Sequence, residues 1–359
     1  MGVRMRTYRI AAIPGDGIGR ETVPAARRVL DVLSAAHGFE LLWTEHPWGC
    51  AFHAETGAMM PSDGIEQLGE ADAILLGAVG TPEVPDHVSL WGLLIPIRRE
   101  FDQFVSLRPV RSLPGIRGPL RDERPFDLVV VRENTEGEYG EVGGRLYRGR
   151  PHELAVQEAV FTRMGVERIA RYAFGLARTR SGRVASATKS NGIVHTMPFW
   201  DEVVAEVAAD FPDVELTSYH VDALAALLVL DPTRFDVIVA SNLFGDILSD
   251  LTAALAGSIG VAPCGNIDPT GRGPSMFEPI HGSAPDIVGT GSADPIGQIW
   301  SGALMLEHLG EKEAADRLVR ALDRVVAAGT VTPDLGGTLS TNEVCDAFIE
   351  ELRRSGTAA

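Results

Sequence analysis

One stretch of this chain reads Ser241-Asn242-Leu243-Phe244-Gly245-Asp246-Ile247-Leu248-Ser249-Asp250, directly after the short apolar run of residues 237–240. In a helix, Asp246 and Asp250 would lie on one face, about one turn apart. Like charges at this spacing destabilise a helix, and the surrounding residues are too apolar for a simple solvated face. A hard divalent cation such as Mg²⁺ or Mn²⁺, which takes carboxylate oxygens, would remove the repulsion. The alternative is that both carboxylates complement the helix dipole.

Apolar runs typical of strands alternate with helical stretches on both sides of this motif. The predicted strands cover residues 8–13, 40–44, 73–76, 128–132, 183–188, 215–219 and 237–240. Hydrophobic spacing predicts helices over residues 19–36, 163–179, 199–210, 248–256 and 312–327. This alternation predicts an α/β fold. The Pro/Gly/Arg-rich segment 109–125 and the Gly-rich segment 257–273 are the candidate crossover and return between two domains.

Composition excludes several classes of protein. A chain of 359 residues with a net charge of −17 lacks the basic face that nucleic acid or an anionic membrane surface requires. No apolar run has the length of a membrane span, and the first predicted strand follows the start without a signal-peptide region, so we expect a cytoplasmic location. Cys50, Cys264 and Cys345 are scattered, which predicts buried or inert thiols rather than disulfides or a thiolate metal site.

The loop after the first predicted strand is rich in glycine and reads Pro14-Gly15-Asp16-Gly17-Ile18-Gly19-Arg20. Arg20 replaces the third glycine of the dinucleotide fingerprint G-x-G-x-x-G, so the loop does not predict a Rossmann fold. Two interpretations stay open. The glycines allow close backbone approach to a ligand, or they form a tight strand-to-helix turn.

Charged and polar residues at strand ends form the candidate site. The guanidinium forks of Arg98, Arg108 and Arg132 match carboxylates, so together they would suit a dicarboxylate. Tyr139 and Lys189 could transfer protons if a nearby cation lowered their pKa, although each has a structural role as its alternative. Asp222 enters a very apolar segment and would be costly to bury unpaired, so it is our candidate third metal ligand.

Five motifs spread over nearly the whole chain resemble the β-decarboxylating dehydrogenase family, which includes isopropylmalate, isocitrate, tartrate and D-malate dehydrogenases. They are Ile13-Pro14-Gly15-Asp16-Gly17-Ile18-Gly19, Leu107-Arg108-Pro109, Arg132-Glu133-Asn134-Thr135-Glu136-Gly137, Ser241 through Asp250, and Phe277-Glu278-Pro279-Ile280-His281-Gly282-Ser283-Ala284-Pro285-Asp286-Ile287. The last two are long and highly specific. The resemblance implies an isopropylmalate-dehydrogenase-like fold of two α/β domains about a central cleft, without Rossmann topology. The first domain would take residues 1–109 and 258–359, and the second residues 110–257.

The resemblance also implies roles for the candidate residues. Arg98, Arg108, Arg132 and Asp222 would bind substrate. Asp222, Asp246 and Asp250 would bind Mg²⁺ or Mn²⁺, and Tyr139 and Lys189 would be the acid/base residues. It implies a homodimer with shared active sites, in which Lys189 and Asp222 reach into the partner's site. A requirement for K⁺ stays open.

Cofactor binding is implied for the loop from Glu278 to Asp286 and for the stretch near Asp294. The implied cofactor residues are Asn191, Glu278, His281, Gly282, Ser283, Ala284, Asp286 and Asp294. A carboxylate at Asp286 can accept from the ribose hydroxyls of NAD and repels the 2′-phosphate of NADP, so NAD is favoured. NADP-using relatives carry Lys-Tyr where this chain has Asp286-Ile287. Asp294 stands where the family usually has Asn; a backbone contact to adenine would survive that change and a side-chain amide contact would not.

The substrate is predicted from the helix before Arg98. Isocitrate-type enzymes present Ser and Asn six and four residues before that arginine, where this chain has Gly92 and Leu94. Leu94 and its neighbours could imitate the aliphatic lining of isopropylmalate enzymes. Other stretches resemble the tartrate/D-malate branch, and Trp91 would fill space that a bulkier substrate needs. They are Ser89 to Gly92, Arg98 to Gln103, Arg111 to Gly115, Glu138 to Arg145 and Pro295 to Gly302.

We therefore predict an NAD-dependent, metal-dependent oxidoreductase that converts a small dicarboxylic 2-hydroxy acid, D-malate, to pyruvate and CO₂ and also acts on tartrate. One alternative is 3-isopropylmalate dehydrogenase of leucine biosynthesis. Another is a regulatory subunit that binds metal or dicarboxylate without catalysis, which the retention of Tyr139, Lys189, Asp222, Asp246 and Asp250 together disfavours.

Overall fold

The computed structural model describes residues 5–120 and 124–356 and confirms the α/β class. Its strands are β1 (Arg6–Gly15), β2 (Phe39–Glu45), β3 (Ala73–Ala78), β4 (Val105–Arg111), β5 (Asp127–Glu133), β6 (Gly143–Leu146), β7 (Leu154–Gln157), β8 (Arg183–Thr188), β9 (Glu215–His220), β10 (Val237–Ala240), β11 (Pro263–Ile267) and β12 (Ser275–Pro279). Its helices are α1 (Gly19–His37), α2 (Cys50–Thr56), α3 (Gly64–Gly69), α4 (Asp86–Ser89), α5 (Ile95–Glu100), α6 (Arg163–Arg178), α7 (Thr196–Ala209), α8 (Val221–Leu230), α9 (Asn242–Leu255), α10 (Ile296–His308), α11 (Lys312–Ala327) and α12 (Thr341–Gly356). A π-helical turn, Leu90–Leu94, connects α4 to α5.

The predicted strands all lie within observed strands, and α11 has the predicted bounds. The helix predicted over residues 248–256 is too short, because α9 begins at Asn242 and contains both Asp246 and Asp250. The segment 109–125 is not irregular throughout, because its first three residues end β4. Pro109 is accommodated there in antiparallel pairing with Val129. Likewise, β11 lies inside the glycine-rich segment 257–273.

The described residues form two compact units. The first takes the residues up to Gln103, then Ser112–Pro119, and those from Ala253 onward; the second takes Phe104–Arg111 and Leu120–Thr252. In the first unit the strand order is β2, β1, β3, β12, β11, with parallel pairing except between β11 and β12. Every residue of β3 is buried, as expected for a strand covered on both faces of a sheet. Helices α1 and α10 pack against these strands and α12 packs on α1.

The glycine loop after β1 serves backbone packing. Gly17 has φ +54°, and a Cβ there would lie 2.0 Å from the carbonyl oxygen of Ser283. The Ile18 N–H donates to that same oxygen at 2.9 Å. The Asp16 carboxylate accepts from the backbone N–H groups of Cys50 and Gly80. The structure therefore favours the tight-turn interpretation, and the turn fixes the segment around Ser283, where cofactor binding is predicted.

The second unit has the strand order β4, β5, β10, β8, β9, antiparallel only between β4 and β5. Helices α6 and α7 pack against these strands. Strands β6 and β7 form a separate antiparallel hairpin whose residues are all exposed. Apolar side chains lie on this hairpin, including Leu146, which is 58% exposed.

Two composition-based expectations can be compared with the structure. All three cysteines are free and buried, as predicted. Within residues 5–120 and 124–356, the helices are too short or too polar to cross a membrane.

Candidate active site

Strands β4 and β5 present two arginines on one face. Arg132 is paired with Ser106 across the antiparallel ladder, and Arg108 lies two residues beyond Ser106, so both side chains point to the same side of the sheet. Both guanidinium groups are buried, which requires partners of opposite charge. Helix α9, which follows directly after the neighbouring strand β10, provides them.

Asp246 on α9 is the shared partner. Its Oδ1 accepts from Arg108 at 3.1 Å and also from Arg132. Arg132 donates further to the Asn242 Oδ1 from Nε at 3.1 Å and from Nη2 at 2.6 Å. Arg108 donates to the Ser249 hydroxyl at 2.6 Å. The aspartate repulsion inferred from the sequence is thus already relieved in part by two guanidinium groups.

Tyr139 completes this cluster. Its hydroxyl donates to the Asp246 Oδ2 at 3.0 Å, and the Arg132 guanidinium lies 5.5 Å from its ring centre. Burial of the phenol and the Asp246 charge raise the pKa of Tyr139. The ring is nevertheless 40% exposed, so a ligand can reach it. A phenol with a raised pKa is protonated at neutral pH and can act as a proton donor.

Asp250 follows one turn after Asp246, as the sequence spacing predicts. Its carboxylate lies 3.8 Å from the Arg108 guanidinium, and its side chain is 56% exposed. Burial and the Asp246 charge raise the pKa of Asp250. Its oxygens are therefore open on the face that carries Asp246, where a cation would favour their ionised form.

Lys189 and Asp222 form a second, separate pair. The Lys189 ammonium donates to Asp222 at 2.6 Å, and this bond lowers the pKa of Asp222. Within the described residues of one chain, neither side chain forms a hydrogen bond or ion pair with Tyr139 or Asp246. One chain therefore brings together Arg108, Arg132, Tyr139, Asp246 and Asp250, while Lys189 and Asp222 are held apart from them.

The donor chemistry for a divalent cation is present on α9. Asp246 and Asp250 supply hard carboxylate oxygens on one face. Among residues 5–120 and 124–356, however, no group of three His, Cys, Asp or Glu side chains is close enough together to hold a metal ion. The residues of one chain fit two protein ligands of a hard cation, and the predicted third ligand, Asp222, would have to come from elsewhere.

In the first unit, Arg98 on α5 donates to the Glu278 Oε1 at 2.8 Å, and Asn266 donates to the same oxygen. Trp91 is half-buried, with the Arg99 guanidinium 4.9 Å from its ring centre. Leu94 is buried in a hydrophobic cluster. That burial gives Leu94 a core role beside the substrate role predicted for it.

The predicted cofactor residues of the first unit contain two unusual polar atoms. Among the described residues, the His281 Nε2 and the Asp294 Oδ2 are buried without a hydrogen-bond partner. Burial lowers the pKa of His281, and burial together with the charge of Asp334 raises the pKa of Asp294 well above its ordinary value. The lowered pKa keeps the His281 imidazole neutral at pH 7, and both groups fit a polar ligand such as a nucleoside.

Of the other predicted cofactor residues, Glu278 is buried in β12 and the rest lie close to the surface. Ala284 adopts φ +42°, which a sharp turn requires, and Gly282 and Asp286 are exposed. Ser283 is the residue tied to the glycine loop. In the second unit, Asn191 is exposed in the turn after β8.

Three comparisons with known proteins bear on this site. The family model described as isocitrate/isopropylmalate dehydrogenase matches residues 9–352. The chain belongs to the isocitrate/isopropylmalate dehydrogenase family. It is 54% identical to a "Probable tartrate dehydrogenase/decarboxylase" of Bacillus subtilis (98% of this chain, 99% of the relative). It is 51% identical to the "D-malate dehydrogenase [decarboxylating]" of Escherichia coli (98% of this chain, 100% of the relative).

The fold agrees with this family membership. The solved isocitrate dehydrogenase of Methylococcus capsulatus is similar with a TM-score of 0.88 and 36% identity, over 96% of this chain and 99% of that one. The isocitrate/isopropylmalate dehydrogenase fold is thereby confirmed, and this member is an oxidoreductase of the β-decarboxylating dehydrogenases, with tartrate and D-malate enzymes among its relatives.

Sequence reasoning missed several residues of the site in this family member. Asn242 holds Arg132, Ser249 holds Arg108, and Asp334 faces Asp294. Asn242 could have been found, because it precedes Asp246 by four residues and therefore lies on the same helical face. Ser249, three residues after Asp246, carries the same signal, whereas Asp334 carries none, since its partner comes from a distant segment.

Proposed function

We propose that this enzyme uses NAD⁺ to oxidise D-malate at C2 and decarboxylates the product to pyruvate and CO₂, with tartrate as a second substrate and Mg²⁺ or Mn²⁺ as cofactor. The cluster of Arg108, Arg132, Tyr139 and Asp246 is the observation that carries the proposal. It combines two carboxylate-binding groups and a protonated phenol, each within hydrogen-bonding distance of one metal-type ligand, Asp246. The D-malate and tartrate activities named for the relatives agree with this chemistry.

The charges of the cluster suit this ligand pair. Arg108 and Arg132 balance Asp246 and Asp250, so the cluster is neutral in the structure. A divalent cation and a dicarboxylate dianion could therefore be added together without leaving an uncompensated charge in a partly buried site. The guanidinium groups that now contact Asp246 would turn to the substrate carboxylates.

The reaction divides into steps that the chain's own residues can perform. The partner subunit's Lys189, as the neutral amine, would accept the proton of the C2 hydroxyl, and the nicotinamide of bound NAD⁺ would supply the hydride acceptor, so that C2 becomes a ketone. The bond to the β-carboxylate then breaks, CO₂ departs and its electron pair forms an enolate. Tyr139 gives its proton to the carbon and produces pyruvate. Asp246, Asp250 and the partner subunit's Asp222 would hold the cation, which supplies Lewis-acid stabilisation of negative charge when bound.

NAD is supported as the cofactor by the charge at Asp286. The side chain is exposed on the predicted cofactor loop, where a carboxylate would accept from ribose hydroxyls and repel a 2′-phosphate. The unpartnered His281 Nε2 and Asp294 Oδ2 are polar atoms that a bound nucleoside would pair.

A homodimer with shared active sites is supported by what one chain lacks. Lys189 and Asp222 are paired with each other rather than with Tyr139 or Asp246 in the described residues of one chain, which supports the proposal that a second copy completes the site. Apolar side chains are exposed on the β6–β7 hairpin and at the end of α8, where Leu230 is 74% exposed. These surfaces are suited to the contact between two copies. The cytoplasmic location stays a prediction.

The substrate proposal is tested by NADH formation with Mn²⁺, comparing kcat/KM for D-malate, L-tartrate, meso-tartrate, 3-isopropylmalate and isocitrate under equal conditions. We expect D-malate or a tartrate to have the highest value. Preference for 3-isopropylmalate would overturn the substrate assignment and keep the roles of Tyr139 and Asp246. The same assay with NADP⁺ should give the lower kcat/KM; the reverse would overturn the role of Asp286.

A further inference from the structure

Three glutamates lie in the turn between Arg132 and Tyr139, and each accepts hydrogen bonds from a different part of the second unit. Glu133 accepts from the backbone of the turn itself. Glu136 accepts from the Thr162 N–H at 3.0 Å and from its hydroxyl at 2.8 Å, at the start of α6. Glu138 makes the corresponding pair of bonds to the start of α9. The third contact joins the turn to the helix that carries the aspartates.

The Glu138 carboxylate accepts hydrogen bonds from donors at the start of α9 that have no acceptor within the helix itself. Its Oε1 accepts from the Ser241 hydroxyl at 2.7 Å, and its Oε2 accepts from the Leu243 N–H at 3.0 Å. The N–H groups of the first helical turn have no partner within the helix, and a carboxylate there is also favoured by the helix dipole. Glu138 is half-buried, so these bonds are partly shielded from water.

The same residue is the immediate neighbour of Tyr139. The side chains of the turn therefore contact α9 through Glu138 at the beginning of the helix and through the bond from Tyr139 to Asp246 one turn later, and the Glu136 carbonyl oxygen also accepts from the Asn242 side chain at 3.0 Å. Because the Tyr139 ring is 40% exposed, packing alone does not fix its position. Gly137, with φ +90°, makes the bend that brings both residues to α9.

We propose that Glu138 is a positioning residue that holds the Tyr139 hydroxyl at Asp246 by tying the turn to the first turn of α9. The inference rests on the proposed proton transfer from Tyr139. The length of the Glu138 side chain and its hydrogen bonds hold the turn in place, and its charge is not required. A glutamine can accept from the Leu243 N–H and donate to the Ser241 hydroxyl, whereas an aspartate is one methylene too short to reach both.

The experiment compares Glu138→Ala, Glu138→Gln and Glu138→Asp with Glu136→Ala. The last is the matched control, because Glu136 lies in the same turn and makes the same pair of bonds to a helix start, but to α6. For each protein, kcat and KM are measured with D-malate, NAD⁺ and Mn²⁺. Hydrogen–deuterium exchange of the first turn of α9 is measured without ligands.

We expect kcat to fall about 10- to 100-fold in Glu138→Ala and Glu138→Asp, as for other residues that orient a site residue. The KM for NAD⁺ should be unchanged, and exchange at Leu243 should accelerate. Glu138→Gln and Glu136→Ala should retain the wild-type kcat and the wild-type exchange at Leu243. If Glu138→Ala does not fold, the difference in kcat and in exchange at Leu243 between Glu138→Gln and Glu138→Asp tests the inference instead.

Two results would overturn the inference. One is an equal loss of kcat in Glu136→Ala and Glu138→Ala, which would indicate a general structural role. The other is a loss in Glu138→Gln as large as in Glu138→Ala with normal exchange, which would indicate a role of the charge. Failure of the proposed function is distinguishable, because the wild type would then turn over none of the five acids. The exchange contrast between the two alanine variants would still decide whether Glu138 holds α9.

Discussion

At the scale of the single residue, Asp246 organises the candidate site. One oxygen of its carboxylate accepts hydrogen bonds from Arg108 and Arg132, and the other accepts a hydrogen bond from the Tyr139 hydroxyl. A partly buried carboxylate requires such compensation, and here the compensating groups are those assigned to substrate binding and proton transfer. This arrangement places the proposed substrate-binding groups in contact with a proposed metal ligand.

Removing the Tyr139 hydroxyl tests its assignment as proton donor. Tyr139→Phe should lower kcat for pyruvate formation about 10²- to 10⁴-fold, because a general acid contributes that much to a rate. Lys189→Met should have an effect of the same order through loss of the base. Pyruvate and NADH are measured together by rapid quench and absorbance. Tyr147→Phe is the control, since Tyr147 is exposed on the hairpin end. Near wild-type turnover in both site variants would show that the catalytic assignment is wrong.

At the scale of the element, the end of β5 determines how the site is built. The strand delivers Arg132 and then a fully buried Glu133, whose carboxylate accepts from the Thr135 and Glu136 N–H groups. Burial raises the pKa of Glu133 to about 7, from an ordinary value of 4.5. The turn that leads to Tyr139 therefore contains a carboxyl group that loses its proton near neutral pH.

The titration of Glu133 should appear in the stability of the fold. Because the pKa of Glu133 is raised in the folded state, its contribution to the free energy of unfolding is fully present below pH 4.5 and is lost as the pH rises to about 7. Relative to Glu133→Gln, the wild-type free energy of unfolding should therefore fall across this window, by at most about 1.4 kcal/mol per pH unit. Urea unfolding of both proteins at several pH values measures the difference. A difference that stays constant with pH would contradict the prediction.

At the scale of the whole molecule, the proposed shared site makes activity a property of the dimer. Lys189 directly follows β8 and Asp222 lies in the first turn of α8, and the two side chains are paired with each other. Their proposed place is the site of the second copy. This arrangement would make the free monomer inactive even when folded.

Hybrid dimers test the sharing directly. Lys189→Met and Asp246→Asn are each expected to be inactive, but a hybrid of the two contains one site with both native residues if Lys189 serves the partner. Random reassembly should therefore restore about a quarter of wild-type activity, because half of the dimers are hybrids and half of their sites are intact. The control is Tyr139→Phe mixed with Asp246→Asn, whose defects lie in the same site and cannot complement. Absence of recovery in the first mixture would show that Lys189 acts within its own chain.

Local secondary structure and family membership could be predicted from the amino-acid sequence alone. Strand and helix periods depend on neighbouring residues, so the seven apolar runs became strands, and Asp246 and Asp250 became neighbours on one helical face. The long motifs around α9 and after β12 were specific enough to indicate the family, which the comparisons confirm.

The contacts between residues that lie far apart in the chain depend on tertiary packing. Strands β4, β11 and β12 each contain a proline, which disfavours a strand in the sequence, and they form because neighbouring strands pair with them. The packing of Gly17 against Ser283, the burial of Leu94 and the contact of Glu138 with α9 likewise depend on segments far apart in the chain. A local sequence pattern indicates the chemistry that a residue can perform, whereas the tertiary fold determines which distant residues it contacts.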